Sequence, residues 1–189
     1  NIHHFFSTLK VKGLGLKNIE KIFNVGLNTI SKIINAKPKD FLMVSGFKDK
    51  TANNIFNSIQ LTLKNNIKLE TLMTASNLFG HGIAEKKLKT IRDKYPDILK
   101  NKWKYDDFLD KIININGWDK ITAKQFVDNF SKFIKFYNEI KSFISIQNVI
   151  DKKYNHKLSG KIIVFSGFRD KELENKLEKI DVKIGRAHV

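Results

Sequence analysis

Four short segments of this sequence combine a glycine with lysines in a spacing suited to holding phosphate. They are "GLGLKNI" from Gly13, "GFKDKTA" from Gly46, "GIAEKKL" from Gly82 and "GWDKITA" from Gly117. Each follows its glycine with an apolar residue and closes six positions on, at Ile19, Ala52, Leu88 or Ala123. Glycine lets the main chain take dihedrals closed to other residues and come close to a ligand. Amides at such a turn, and at the start of a following helix, carry partial positive charge that suits one phosphate oxygen. Lysines stand beside every segment to add a full charge. The candidate binding set is Lys12, Gly13, Leu14, Gly15 and Lys17, then Gly46, Phe47, Lys48 and Lys50, then Gly82, Ala84, Lys86 and Lys87, and last Gly117 and Lys120, with Lys124 nearby. Contact of this kind carries no base information, so binding is expected to be sequence-independent and weakened by salt.

A single Gly-x-Gly before a helix is more often an ordinary turn. Here the glycines recur at steps of 33, 36 and 35 residues, which points to one structural unit used four times, near 11–25, 41–63, 78–94 and 112–136. Only the first unit keeps a second glycine, Gly15; the others place Lys48, Ala84 and Asp119 there. An acidic Asp119 opposes anion binding, so the first two units rank as contacts and the fourth as doubtful.

Other chemistry reads weakly. Asp106, Asp107 and Asp110 could hold a divalent ion, but they stand where a helix begins and where carboxylates favour its dipole. His3 and His4 are adjacent rather than four apart, a poor metal geometry, and flank a helix start. Phe5, Phe6, Phe23, Phe56, Phe126 and Phe130 fall at core spacing rather than as a base-stacking platform, while Trp118, inside the fourth turn, reads as partly exposed. Cysteine is absent, which rules out a disulfide framework or thiolate zinc site within these residues. No catalytic, cofactor or metal site is assigned to the chain.

The elements that position the turns are helical. Short apolar stretches precede three of the glycines: "DFLMVS", "TLMTASNLFGH" and "DDFLDKIININ". Longer ones follow, as over 50–63, where Ala52, Ile55, Phe56, Ile59 and Leu63 share a face. Pro38 and Pro96 suit a first helical turn or a connector. The net charge of +16, from 35 basic and 19 acidic residues, favours nucleic acid as partner; AT-rich coding accounts for the excess of Lys over Arg but not for the scarcity of Asp and Glu. No run approaches a membrane span and no leader opens the chain, so it reads as soluble and intracellular. It begins at Asn1 without an initiator methionine and is taken as a fragment.

From Leu158 the texture changes. Lys161 to Phe165 reads as a buried strand, an amphipathic helix with Leu173, Leu177 and Ile180 on one face follows, and "DVKIG" starts a second strand, which together imply a parallel α/β sheet. The final "IGRAHV" equals the translation of a common sequencing adapter (ATC GGA AGA GCA CAC GTC), so residues 186–189 are expected to be a non-native tail.

Each glycine segment resembles the helix-hairpin-helix motif, an apolar residue, Gly-apolar-Gly, three variable residues and Ala. The stretch "LSGKIIVFSGF" resembles the start of a BRCT domain, with Ser166-Gly167 at the place that can bind phosphate in that family, although a plain strand-to-helix connection is favoured here. The organisation is therefore a mainly α, tandem helix-hairpin-helix DNA-binding domain over 1–150 and a truncated α/β BRCT domain over 151–185. In that order the two resemble the C-terminal half of an NAD-dependent DNA ligase. "HHFFSTLKVKGLGLKNIEKIF" is similar to the family's segment after its four-cysteine zinc finger, and "SNLFGHGIAEKKLKTIRDKYPDIL" to the third repeat of viral and some bacterial members. The resemblance implies a monomer that grips nicked double-stranded DNA across the minor groove and supports nick sealing in replication and repair. It implies NAD, magnesium and zinc for the parent enzyme, and a cytoplasmic place in a bacterial-type or virus-infected cell. No Asp-Gly pair occurs, so the adenylated Lys-x-Asp-Gly lysine is expected upstream and this fragment should not ligate alone. A non-catalytic helix-hairpin-helix/BRCT scaffold and the DNA-holding part of a repair nuclease are the alternatives; the upstream residues separate them.

Overall fold

The computed structural model describes residues 1–147, 161–165, 173, 177 and 182–185. The chain divides into two compact units, Asn1–Asn148 and Val149–Val189.

The first unit is all α. Its helices are α1 (Ile2–Thr8), α2 (Leu16–Asn24), α3 (Ile30–Asn35), α4 (Pro38–Phe41), α5 (Asp49–Lys64), α6 (Leu69–Ser76), α7 (Glu85–Lys94), α8 (Tyr105–Ile113) and α9 (Lys120–Ile140), with a 3₁₀ turn at Ile98–Lys100 before α8. The amphipathic spacing explains the longer ones. In α5, Ala52, Ile55, Ile59 and Leu63 are buried along one stripe, as expected. Pro38 opens α4, where its missing N–H costs nothing, and Pro96 lies in the connector after α7. Asp106 and Asp107 occupy the first turn of α8. The stretch 42–44 is a turn rather than helix, because α4 starts earlier at Pro38; α6 stops at Ser76, where Asn77 turns left-handed with φ +53°.

The buried side chains form one continuous core from Phe5 to Ile140. Rings dominate its second half: Phe79 stacks on Phe126 at 4.7 Å, and Phe108 meets Phe130 edge-on at 5.1 Å. Phe23 departs from its expected core place and is 50% exposed, since Ile19 and Ile22 already fill the inward stripe of the short α2. Trp118 departs the other way, at 6% exposed, because its indole donates to Thr90 Oγ1 at 2.9 Å and packs edge-on to Phe126. Residues after α9 return to the middle of the unit: Ser145 donates to the Leu63 carbonyl, and Ile146 bridges Ile67 in parallel.

In the second unit β1 (Ile162–Val164) pairs in parallel with β2 (Lys183–Gly185), Ile163 opposite Ile184. Leu173 and Leu177 have helical backbone, and Leu177 is buried. β1 is not the buried strand expected: Ile162 and Val164 are exposed. Ser166-Gly167, Ile180 and the tail 186–189 lie outside the described residues. Among those described, no helix is long and apolar enough to cross a membrane.

Candidate nucleic-acid interface

The four hairpins are built alike. Gly13, Gly46, Gly82 and Gly117 have φ of +84°, +82°, +84° and +86°, a left-handed backbone in which an L side chain is strained. In the second and fourth, the residue after the glycine donates back across the turn, Phe47 to Val44 and Trp118 to Ile115. Such a turn requires positive φ at its third residue, which is the glycine. Two positions beyond each glycine comes the N-cap, Gly15, Lys48, Ala84 or Asp119, extended with ψ of 166–171°, and the second helix starts next.

The second glycine therefore has a different role from the first. Gly15 has φ −70°, open to any residue, and a Cβ built on it meets nothing within 4 Å. This explains how Lys48, Ala84 and Asp119 can take the same place without changing the turn. Leu14 of the expected set has a buried side chain, so only its main chain can face a ligand, and the equivalent Phe47 is half-buried.

The third and fourth hairpins pair through the residue eight places past the glycine. Gln125 of the fourth unit donates to the Phe79 and His81 carbonyls of the third hairpin at 2.6 and 3.2 Å, and Thr90 of the third unit accepts from Trp118 in the fourth. In the first pair Lys21 lies beside Gly46, a Cβ on which would stand 3.5 Å from its Nζ, and the first hairpin meets α5 through Ile55, 3.0 Å from a Cβ on Gly13, and Ser58, which accepts from the Lys12 amide. Each turn is thus seated on the partner unit's second helix, first with second and third with fourth. Neither the period nor the composition reveals this exchange.

The hairpins differ in what they offer an anion. Helices α2, α5 and α7 accept no side-chain cap, so their first amides are left for a ligand or solvent. Asn18 Nδ2 occupies the Gly13 carbonyl, turning the first hairpin toward donors alone. α2 carries no carboxylate in its first turn, whereas α5 begins with Asp49 and α7 with Glu85. Lys12, Lys17, Lys48, Lys50, Lys86 and Lys120 are exposed. Lys87 is partly buried: it bonds Thr122 Oγ1 at 2.8 Å, lies 3.6 Å from Asp119 and sits 4.8 Å over the Trp118 ring, partners with which a phosphate would compete.

The fourth hairpin caps itself. Asp119 accepts from the Thr122 amide and hydroxyl, and these bonds, with Lys87 a lesser cause, draw its carboxyl down to about 2. The first turn of α9 is thus capped by a carboxylate of its own. Further along α9, Asp128 accepts from Lys124 at 2.8 Å and from the Tyr105 hydroxyl at 2.6 Å; Lys124 first and then Tyr105 hold its carboxyl below the ordinary range. Among the described residues no group of three or more His, Asp or Glu side chains comes together.

Residues 6–60, the first hairpin pair, match the SAM-like helix-hairpin-helix tandem family. Over most of its length the chain is also similar to curated proteins. It is 34% identical to the DNA ligase of Acanthamoeba polyphaga mimivirus, across 92% of this chain and 28% of that protein. It is 28% identical to the DNA ligase of Shewanella baltica, across 97% and 29%, and 29% identical to that of Campylobacter lari, across 92% and 26%. The chain is a relative of DNA ligases. It spans little more than a quarter of the length of these ligases. No solved structure matches it significantly. The ligase-related sequence carries its second hairpin pair, residues 78–136, beyond the matched tandem, yet Gly82 and Gly117 repeat the same backbone.

Proposed function

We propose that this chain is the DNA-holding part of an NAD-dependent DNA ligase, gripping the phosphate backbone of nicked duplex DNA across the minor groove during nick sealing in replication and repair. The observation that carries this is the uncapped, carboxylate-free helix start behind Gly13, flanked by exposed Lys12 and Lys17, in a chain similar to DNA ligases over 92% of its length. The first hairpin leads, the second and third assist, and the self-capped fourth serves the fold. In this reading the adenylated lysine, NAD, magnesium and zinc serve the parent enzyme, the second unit is the opening of a BRCT domain, and the present residues alone seal no nick.

The test is fluorescence anisotropy on a nicked duplex over a salt series. Binding at about 10⁻⁴ to 10⁻⁶ M without sequence preference is expected, with log K falling linearly against log salt. Gly15→Val places bulk at the hairpin surface where the fold has room and leaves only a poorer N-cap, a cost of about 1 kcal/mol. It should weaken binding while the protein stays folded. Equal affinity for Gly15→Val and wild type, or binding indifferent to salt, would overturn the reading.

A further inference from the structure

Beside the first hairpin an open groove of about 570 Å³ runs between Lys10, Lys12 and Gly13 on one side and the exposed face of α5 on the other. A second hollow of about 630 Å³ continues it along α5 to Lys64 and Asn65, sharing Asn57 and Leu61. Asn54, Asn57, Leu61 and Lys64 follow at three- and four-residue steps, so they form one straight row on the helix. The row ends on Lys64, Lys10 and Lys12 line the wall that faces it, amides lie within it, and no carboxylate is among its lining residues. Leu61 stands 73% exposed at its centre. The Lys12 amide donates to Ser58 Oγ at 2.8 Å, fixing the hairpin against the row. The corresponding row on α9 is spent: Gln125 is drawn into the third hairpin and Asp128 brings a carboxylate.

We infer that this face of α5 is a second DNA contact, continuing the hairpin site so that one strand's sugar-phosphate chain lies along it. The inference rests on the reading of the first hairpin as a phosphate site. From Asn54 to Lys64 the helix advances about 15 Å, and a duplex strand spaces its phosphates about 3.4 Å along the axis, so the row spans four or five nucleotides. Lys64 pairs with a phosphate at one end, Lys10 and Lys12 reach phosphates from the facing wall, the Asn amides donate along the row, and Leu61 packs on deoxyribose carbons.

The test adds Lys64→Ala, Asn57→Asp and Leu61→Lys to the anisotropy series, with sedimentation of each protein without DNA. All three positions are exposed, so the fold is kept. Losing one phosphate contact should reduce the salt slope by about 0.9 and the affinity about five- to tenfold at 0.1 M salt for Lys64→Ala, and Asn57→Asp should weaken binding at least as much. If wild type binds and Gly15→Val weakens it, while Lys64→Ala and Asn57→Asp leave affinity and slope unchanged, the α5 contact is overturned and the hairpin reading stands. If wild type is a dimer that Leu61→Lys dissociates, the face is a self-association surface and the inference fails. If wild type binds no duplex, both fall.

Discussion

Asp119 holds Thr122 twice, accepting from its main-chain amide at 2.9 Å and from its hydroxyl at 2.8 Å. The fold therefore favours the charged carboxylate, whose pKa falls from 3.8 to about 2. A depressed acid contributes stability above its ordinary pKa and loses it as pH drops through the folded value. Asn caps a helix nearly as well but does not titrate. Thermal melts of Asp119→Asn should therefore change less between about pH 4 and about pH 2 than those of the wild type. Identical pH profiles would show that the cap contributes nothing. Asp119→Gly should raise duplex affinity, since it uncovers an amide and removes a negative charge.

Gly13 and Gly82 share φ +84° but not surroundings: a Cβ on Gly13 would stand 3.0 Å from Ile55 Cγ1, and one on Gly82 meets nothing within 4 Å. Gly82→Ala should cost only the left-handed backbone, about 1–2 kcal/mol. Gly13→Ala should cost more, and Gly15→Ala no more than about 1 kcal/mol as a poorer cap. Urea denaturation of the three variants checks the order; a Gly13→Ala cost equal to that of Gly82→Ala would refute the packing role.

These comparisons mark where the sequence was legible. The glycine period was, because positive φ leaves almost no other choice and so writes the turn into the residue type. The stripe of α5 was, because four buried apolar residues on one face have a helical period. Phe23 and Trp118 were not: each sits where periodicity allows either face, and the outcome depended on Ile22 nearby and on Thr90, distant in sequence. The seating of each hairpin on its partner's second helix was equally hidden, since nothing in the residue types of Ser58, Thr90 or Gln125 announces a partner distant in sequence. Asp119 and Thr122, the partners of Lys87 more than thirty residues on, were out of view in the same way.

Glu70, 3% exposed on α6, meets Arg92 of α7 at 3.0 Å. Asp93 also reaches Arg92 at 3.1 Å, but Glu70 Oε2 and Arg92 Nε find no protein partner, and among the described residues Arg92 is the cation that pairs with the buried Glu70 carboxylate. Arg92→Ala should destabilise by about 3–5 kcal/mol. Glu70→Met with Arg92→Met should cost far less, because no charge is then stranded. A denaturant double-mutant cycle with additive costs would contradict this.

Gln125 reaches two carbonyls of the third hairpin from the partner unit. Gln125→Ala should lower stability by about 1–2 kcal/mol. In native-state hydrogen exchange it should speed amides around Gly80 to Ile83 while those around Gly13 keep their protection. Uniform acceleration across both hairpins would mean the bond acts globally.

The return of Ser145 and Ile146 to Leu63 and Ile67 decides how this body bears a load. Tension on the chain leaving residue 147 reaches the joint between the two hairpin pairs, at 63–67, before it can peel α9 from its end. A tug from whatever follows would thus be shared by both grips at once, as a strap riveted at the midpoint loads both halves of a clasp.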